Sequence, residues 1–101
     1  MIKIEELVEG DGAIVKDGNT VEVMYIGSFP EGKTFDNGSF SFRVGSGQVV
    51  PGFDLGVQGM KKGGKRRITI PPELGYGAAG AGGVIPPNST LVFELEILEI
   101  R

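Results

Sequence analysis

Thr90-Leu91-Val92-Phe93-Glu94-Leu95-Glu96-Ile97-Leu98-Glu99-Ile100 is the longest strand-like run of the chain. Leu91, Phe93, Leu95 and Ile97 fall on one side, with Glu94 and Glu96 opposite. Successive side chains of a strand point to opposite faces, so this segment has one buried face and one wet face. Antiparallel sheets tolerate that asymmetry, and something apolar must cover the buried side.

Working outward, the same pattern recurs. Thr20 to Ile26 is rich in β-branched residues and puts Val21, Val23 and Tyr25 on one face. Ser39 to Val44 alternates Phe40, Phe42 and Val44 against Ser41 and Arg43. A short apolar piece ends at Phe35-Asp36 before it, with Asn37-Gly38 between. Lys65 to Ile70 reads as a strand stopped by Pro71-Pro72, and Ile2, Ile4 and Leu7 open another. Gly10-Asp11-Gly12, Lys16-Asp17-Gly18-Asn19 and Pro30-Glu31-Gly32-Lys33 supply turn chemistry. Residues 52–60 hold the one helix expected, because Phe53, Val57 and Met60 recur at i, i+4 and i+7. Pro51 suits its start, whereas Gly56 and Gly59 oppose it. Five or six strands and one short helix give an α+β fold: an antiparallel sheet packed on a helix, in one domain over residues 1–101.

Composition narrows the chemistry. The 101 residues fit one core, and 40% hydrophobic with 23% charged is ordinary globular material. A net charge of -3 gives no electrostatic case for binding nucleic acid. There is no cysteine and no histidine, which removes thiol nucleophiles, Ser-His-Asp triads and His- or Cys-ligated metal. No metal or cofactor is expected. The acidic start of the chain lacks an apolar signal region, and no apolar run reaches the ~20 residues of a bilayer span. A cytoplasmic, monomeric protein without membrane contact is the expectation.

Several motifs mislead. Gly75-Tyr76-Gly77-Ala78-Ala79-Gly80 matches a dinucleotide fingerprint, but Ala81-Gly82-Gly83-Val84-Ile85-Pro86-Pro87 cannot make the helix that such a site needs. The basic run Lys61 to Arg67 reads as a solvated turn entering an edge-facing strand. Asp36, Asp54 and Glu73 have no reason from sequence to form an acid–base pair. What stands out is one tyrosine in a loop of tiny residues, Pro72 to Pro87. Tyr76 there presents an apolar ring and a hydroxyl where a ligand can approach closely.

The order Val23-Met24-Tyr25-Ile26-Gly27, Gly32-Lys33-Thr34-Phe35-Asp36, Phe40 to Gly45, Gln48-Val49-Val50-Pro51-Gly52-Phe53, Gly75-Tyr76-Gly77, Ile85-Pro86-Pro87 and Leu91-Val92-Phe93 resembles the FKBP-type peptidyl-prolyl isomerases. The resemblance runs from about Val8 to Ile100. It implies a five-stranded antiparallel sheet curled around one helix, with an apolar pocket between them under the Tyr76 loop. Tyr25, Asp36, Tyr76 and Phe93 would be catalytic. Phe35, Phe40, Val49, Val50, Phe53, Val84 and Ile85 would bind substrate, with Phe53 as the floor. Asp36 would hold Tyr25 by a buried hydrogen bond. Val84 and Ile85 would meet the residue before proline. The resemblance implies proline-containing peptides and unfolded proteins as partners, and the macrolides tacrolimus and rapamycin as ligands. Phe53 stands where the family often has Trp, Gln48 where it often has Glu, and the smaller floor removes contact that a macrolide would use. A non-catalytic module that holds proline peptides in the same fold is the alternative.

Overall fold

The computed structural model describes residues 2–101 of the protein. Alternation folds as expected into five strands: β1 (Lys3–Val8), β2 (Thr20–Ser28), β3 (Thr34–Arg43), β4 (Lys65–Ile70) and β5 (Leu91–Ile100). Every pairing is antiparallel, in the order β1-β4-β5-β2-β3, and the sheet stays open. Its inner face carries Val21, Val23, Phe42, Ile68, Ile70, Leu91, Phe93, Leu95 and Ile97, all buried. One short helix, α1 (Pro51–Val57), covers that face.

Three boundaries differ from the reading of the sequence. The helix spans Pro51–Val57 rather than 52–60, because Gln58 is already extended and Gly59 turns with φ +82°. Met60 is buried, but beyond the helix, where its carbonyl accepts the Val15 N–H. Asn37-Gly38 does not end a strand: β3 runs through it, pairing Gly38 with Tyr25 and Asn37 with Ile26. Long-range pairing overrides local turn preference there. β4 is an interior strand between β1 and β5, not an edge.

The helix is poor by its own propensity, with two glycines in seven residues and no side-chain cap at its start. β4 holds it instead. The inward residues Arg66, Ile68 and Ile70 track along it, with Ile70 against Gly52 and Ile68 against Gly56, where a Cβ would collide. Arg66 is 6% exposed. Its Nη1 donates to the carbonyls of Gly56 (2.8 Å) and Gln58 (2.9 Å) at the helix C-terminus. A cation there meets the negative end of the helix dipole, a place no residue of the helix's own last turn fills. Its Nε and Nη2 grip Glu6 of β1 at 2.6 and 2.9 Å. The rest of the basic run is also compensated by acids, Lys61 by Glu9, Lys62 by Glu99, and Arg67 by Glu94 and Glu5.

Candidate active site

Between α1 and the inner face of the sheet lies a cleft of about 420 Å³. Tyr25, Phe35, Asp36, Phe40, Gln48, Val49, Val50, Phe53, Tyr76 and Phe93 line it. The rings interlock around Phe53, which is 3% exposed and sits at the base. Phe93 lies 5.1 Å from it edge-on, Phe40 5.7 Å and Tyr25 6.4 Å between centroids. Phe35 stands edge-on to Phe93 at 5.7 Å. Edge-to-face pairs at these separations are favourable beyond their buried area, so the cleft is pre-formed.

Each wall follows from its element. Tyr25 and Phe93 are inward residues of paired neighbouring strands, β2 and β5. Phe35 and Phe40 come from β3. Between them, Gly27 of β2 leaves the space: a Cβ there would lie 2.7 Å from Phe35 and 2.8 Å from Phe93. Val49 and Val50 end the loop into α1, and two side chains brace that loop. Gln48 Oε1 accepts the Arg43 N–H at 2.7 Å, and Asp54 Oδ1 accepts the Gly45 N–H at 2.8 Å. The first bond needs only an acceptor oxygen, so glutamine can serve where a carboxylate would.

Tyr25 Oη donates to Asp36 Oδ2 at 2.7 Å. The bond is not buried as expected: Asp36 is exposed and the pair stands at the rim. Asp36 Oδ1 also accepts the Asn37 N–H at 2.9 Å. The bond to Asp36, aided by burial and by the carboxylate's charge, pushes the Tyr25 hydroxyl up to about 12. Tyr25 therefore stays a neutral donor.

The Tyr76 loop is a stitched flap rather than a loose one. Gly77 N–H donates to Pro72, Gly80 to Tyr76 and Asn88 to Gly77, at 2.8, 3.2 and 2.9 Å. Gly80 sits at φ +68° against the Ile85 carbonyl, where no side chain fits. Tyr76 is 42% exposed, and no hydrogen bond joins its hydroxyl to another described residue. The Val50 N–H likewise has no backbone partner among the described residues. The cleft thus has apolar walls and two unengaged donors.

Val84 and Ile85 are not brought to this cleft. Ile85 turns into the core at 6% exposure, and Val84 points to a neighbouring groove. The flap's internal bonding sets that orientation, and sequence does not carry it. Gly27, Gln48 and Asp54 are the site-building residues absent from the sequence-derived set. Alternation marks Gly27 as inward, next after Tyr25, which is the one signal for it.

Comparison with known proteins agrees with this arrangement. The family model described as FKBP-type peptidyl-prolyl cis-trans isomerase matches residues 12–98. A protein of Neisseria meningitidis serogroup A called FK506-binding protein is 48% identical over 96% of this chain and 94% of its own length. FK506-binding protein 4 of Dictyostelium discoideum is 49% identical over 96% of this chain, which spans 28% of that longer protein. Among solved structures, FkpA from Escherichia coli superposes with TM-score 0.89 at 44% identity, covering 99% of this chain and 48% of that one. A peptidyl-prolyl cis-trans isomerase from Pseudomonas syringae pv. tomato gives 0.88 at 40% identity, covering 98% and 74%. Matched along most of its length in sequence, fold and order of elements, the chain belongs to the FKBP-type peptidyl-prolyl cis-trans isomerase family.

Proposed function

We propose that this chain is a peptidyl-prolyl cis-trans isomerase that accelerates rotation of Xaa-Pro bonds in peptides and unfolded proteins. The observation that carries this is an aromatic cleft with two unengaged donors at its rim, Tyr76 Oη and Val50 N–H. Amide resonance sets the rotation barrier at roughly 18–20 kcal/mol. Lowering it breaks no σ bond and moves no proton. It requires a site that prefers the twisted amide to both planar forms. Twisting removes the charge separation of the planar amide, so a low-polarity cleft favours it.

In this reading Phe35, Phe40, Phe53 and Phe93 hold the proline ring. The Tyr76 hydroxyl and the Val50 N–H each take a carbonyl of the substrate. Asp36, held by Tyr25, lies beside the rotating amide. All of these groups belong to one copy of the chain, so the site is complete in a monomer. Slow Xaa-Pro rotation limits folding of many chains, which makes assistance to folding the natural role. Tacrolimus or rapamycin would compete for the same cleft, with less contact at Phe53 than a larger floor gives.

The test is cis–trans exchange of a Leu-Pro peptide followed by NMR, with the protein at catalytic concentration. Acceleration that Asp36→Val or a macrolide suppresses supports the proposal. Saturable binding by the folded protein with no rate effect would leave only the non-catalytic module.

A further inference from the structure

The two edges of the sheet are not alike. β1 guards its open edge with the charges of Lys3, Glu5 and Glu6 and with a bulge between Glu6 and Val8. β3, at the other edge, has neither a charged residue nor a proline from Asn37 to Phe42. Its register with β2 is continuous from Asp36 to Arg43, so its backbone groups face β2 and open solvent by turns. The next residue, Val44, sets the phase, because its N–H donates to Asn19 just before β2 at 2.8 Å. The N–H and C=O groups of Asn37, Ser39, Ser41 and Arg43 therefore point away from the sheet. Side chains close both ends of this row: Asp36 Oδ1 takes the Asn37 N–H, and Gln48 Oε1 takes the Arg43 N–H. Ser39 and Ser41 remain between them, exposed, with no backbone partner on that side among the described residues.

A groove of about 560 Å³ lies beside these two residues, on the outer face of the sheet. Met24, Ile26 and Leu98 form its floor, and Asn37, Gly38 and Ser39 its side. Met24 and Ile26 are 45% and 47% exposed, and no charged side chain lines the groove. We propose that the β3 edge and this groove form a docking site for an extended, proline-free segment of another polypeptide, which adds as an antiparallel strand and places a large apolar side chain opposite Ser39. Main-chain pairing with Ser39 and Ser41 holds such a segment, and the groove selects its side chain. Proline is excluded opposite both serines because it has no N–H to donate. Ser39 pairs with Met24 across the β2–β3 ladder. A residue opposite Ser39 thus stands two strand spacings, about 10 Å, from Met24, and two long apolar side chains close that gap over a serine. A charged side chain there would lose water without gaining a partner. A second copy of this chain does not fit. Its β3 brings only Asn37, Ser39, Ser41 and Arg43 to the outer face, and its β1 brings Lys3 and Glu5. The aromatic cleft opens on the inner face, so a proline peptide and this segment bind at separate places.

The probe is a peptide of three Thr-Leu repeats between terminal lysines, titrated into the protein and followed by NMR. Saturating peptide should slow amide exchange at Ser39 and Ser41 by roughly tenfold or more and shift the Met24 methyl resonance, with Val50 and Tyr76 unmoved. N-methylation of the leucines should abolish binding, because their N–H groups face β3, whereas N-methylation of the threonines should leave it intact. Met24→Ser should weaken affinity roughly fivefold, a fraction of full burial because the groove is open. Ser39→Lys should abolish binding by placing a charge across the groove. Both positions are exposed, and the amide spectrum verifies that each variant is folded. No effect at Ser39 and Ser41 with millimolar peptide would overturn the docking site, as would shifts confined to Val50 and Tyr76. Equal binding of the two N-methylated peptides would also overturn it. Protection of the same amides without peptide, growing with protein concentration and lost in Ser39→Lys, would put a second copy on the edge and refute the assignment.

Discussion

The Tyr25 hydroxyl, 2.7 Å from Asp36 and pushed up to about 12, makes the residue scale measurable. A tyrosine whose folded value is raised adds stability that is complete below the ordinary value of 10.0. That contribution is lost as pH rises through the folded value, so the window runs from about pH 10 to about pH 12. Ultraviolet titration of the native protein should show a tyrosine step at about 12, and Tyr25→Phe should remove it. Absence of that late step would place Tyr25 away from Asp36. Tyr76, with its hydroxyl unengaged, has the opposite character. Tyr76→Phe should weaken peptide affinity by about 1 kcal/mol, the net value of one hydrogen bond, with little change in stability. Calorimetric titration with the Leu-Pro peptide reads this, and unchanged affinity would remove the hydroxyl from the site. At this scale much was legible in sequence, because aromatic residues on the inward phase of β2, β3 and β5 announce themselves. The exposure of the Tyr25–Asp36 bond was not, since it depends on where β3 meets the rim.

At the scale of elements, α1 exists because β4 packs against it. Gly56→Ala illustrates the balance: alanine favours a helix over glycine by about 1 kcal/mol. Here its Cβ would collide with fully buried Ile68, and overpacking costs roughly 1–3 kcal/mol. The variant should be less stable by urea denaturation, the reverse of what propensity alone gives. A more stable variant would show that Ile68 yields and that the helix is not held by close approach. The helix ended early because the sequence stripe from Phe53 to Met60 combines two reasons for being buried. Phe53 and Val57 face the sheet from the helix, whereas Met60 is buried in the segment after the helix, which is bonded to Val15. Periodicity cannot separate these. The Asn37-Gly38 pair misled for a related reason: local turn chemistry is readable, and the strand that pairs with it is far away in sequence. The flap shows the converse, since its glycine content reads as looseness and its hydrogen bonds make it ordered.

Across the whole molecule, the Glu6–Arg66 pair joins β1 to β4 and to the end of the helix that carries Phe53. The hydrogen bond from Arg66, with its charge, holds the Glu6 carboxyl below its ordinary value despite partial burial. A lowered carboxylate contributes stability that is present above the unfolded value of 4.5 and is lost as pH falls through the folded one. Arg66→Met should destabilise by roughly 1–3 kcal/mol, because the buried Gly56 carbonyl and the part-buried Gln58 carbonyl lose their donor. Its acid unfolding should also be less steep than that of the unmodified protein. Equal stability at neutral pH would show that water replaces the guanidinium. Alternation puts Arg66 in phase with Ile68 and Ile70, but its partners, Glu6 of β1 and the helix C-terminus, lie far away in sequence and are set by strand order. The strand order joins residues far apart in the chain, and neither alternation nor turn chemistry carries it.

In the proposed mechanism an apolar cleft catalyses rotation without proton transfer. The chain has no histidine or cysteine, and Tyr25 is held neutral. The decisive experiment is kcat/KM for a Leu-Pro peptide across pH 6 to 9, read by NMR exchange. The expected result is acceleration that stays constant within about twofold, because rotation moves no proton and the chain has no histidine or cysteine to act as acid or base. A sigmoid or bell-shaped profile with a tenfold change would show proton transfer in the rate-determining step, and the absence of acceleration by the folded protein would rule out catalysis.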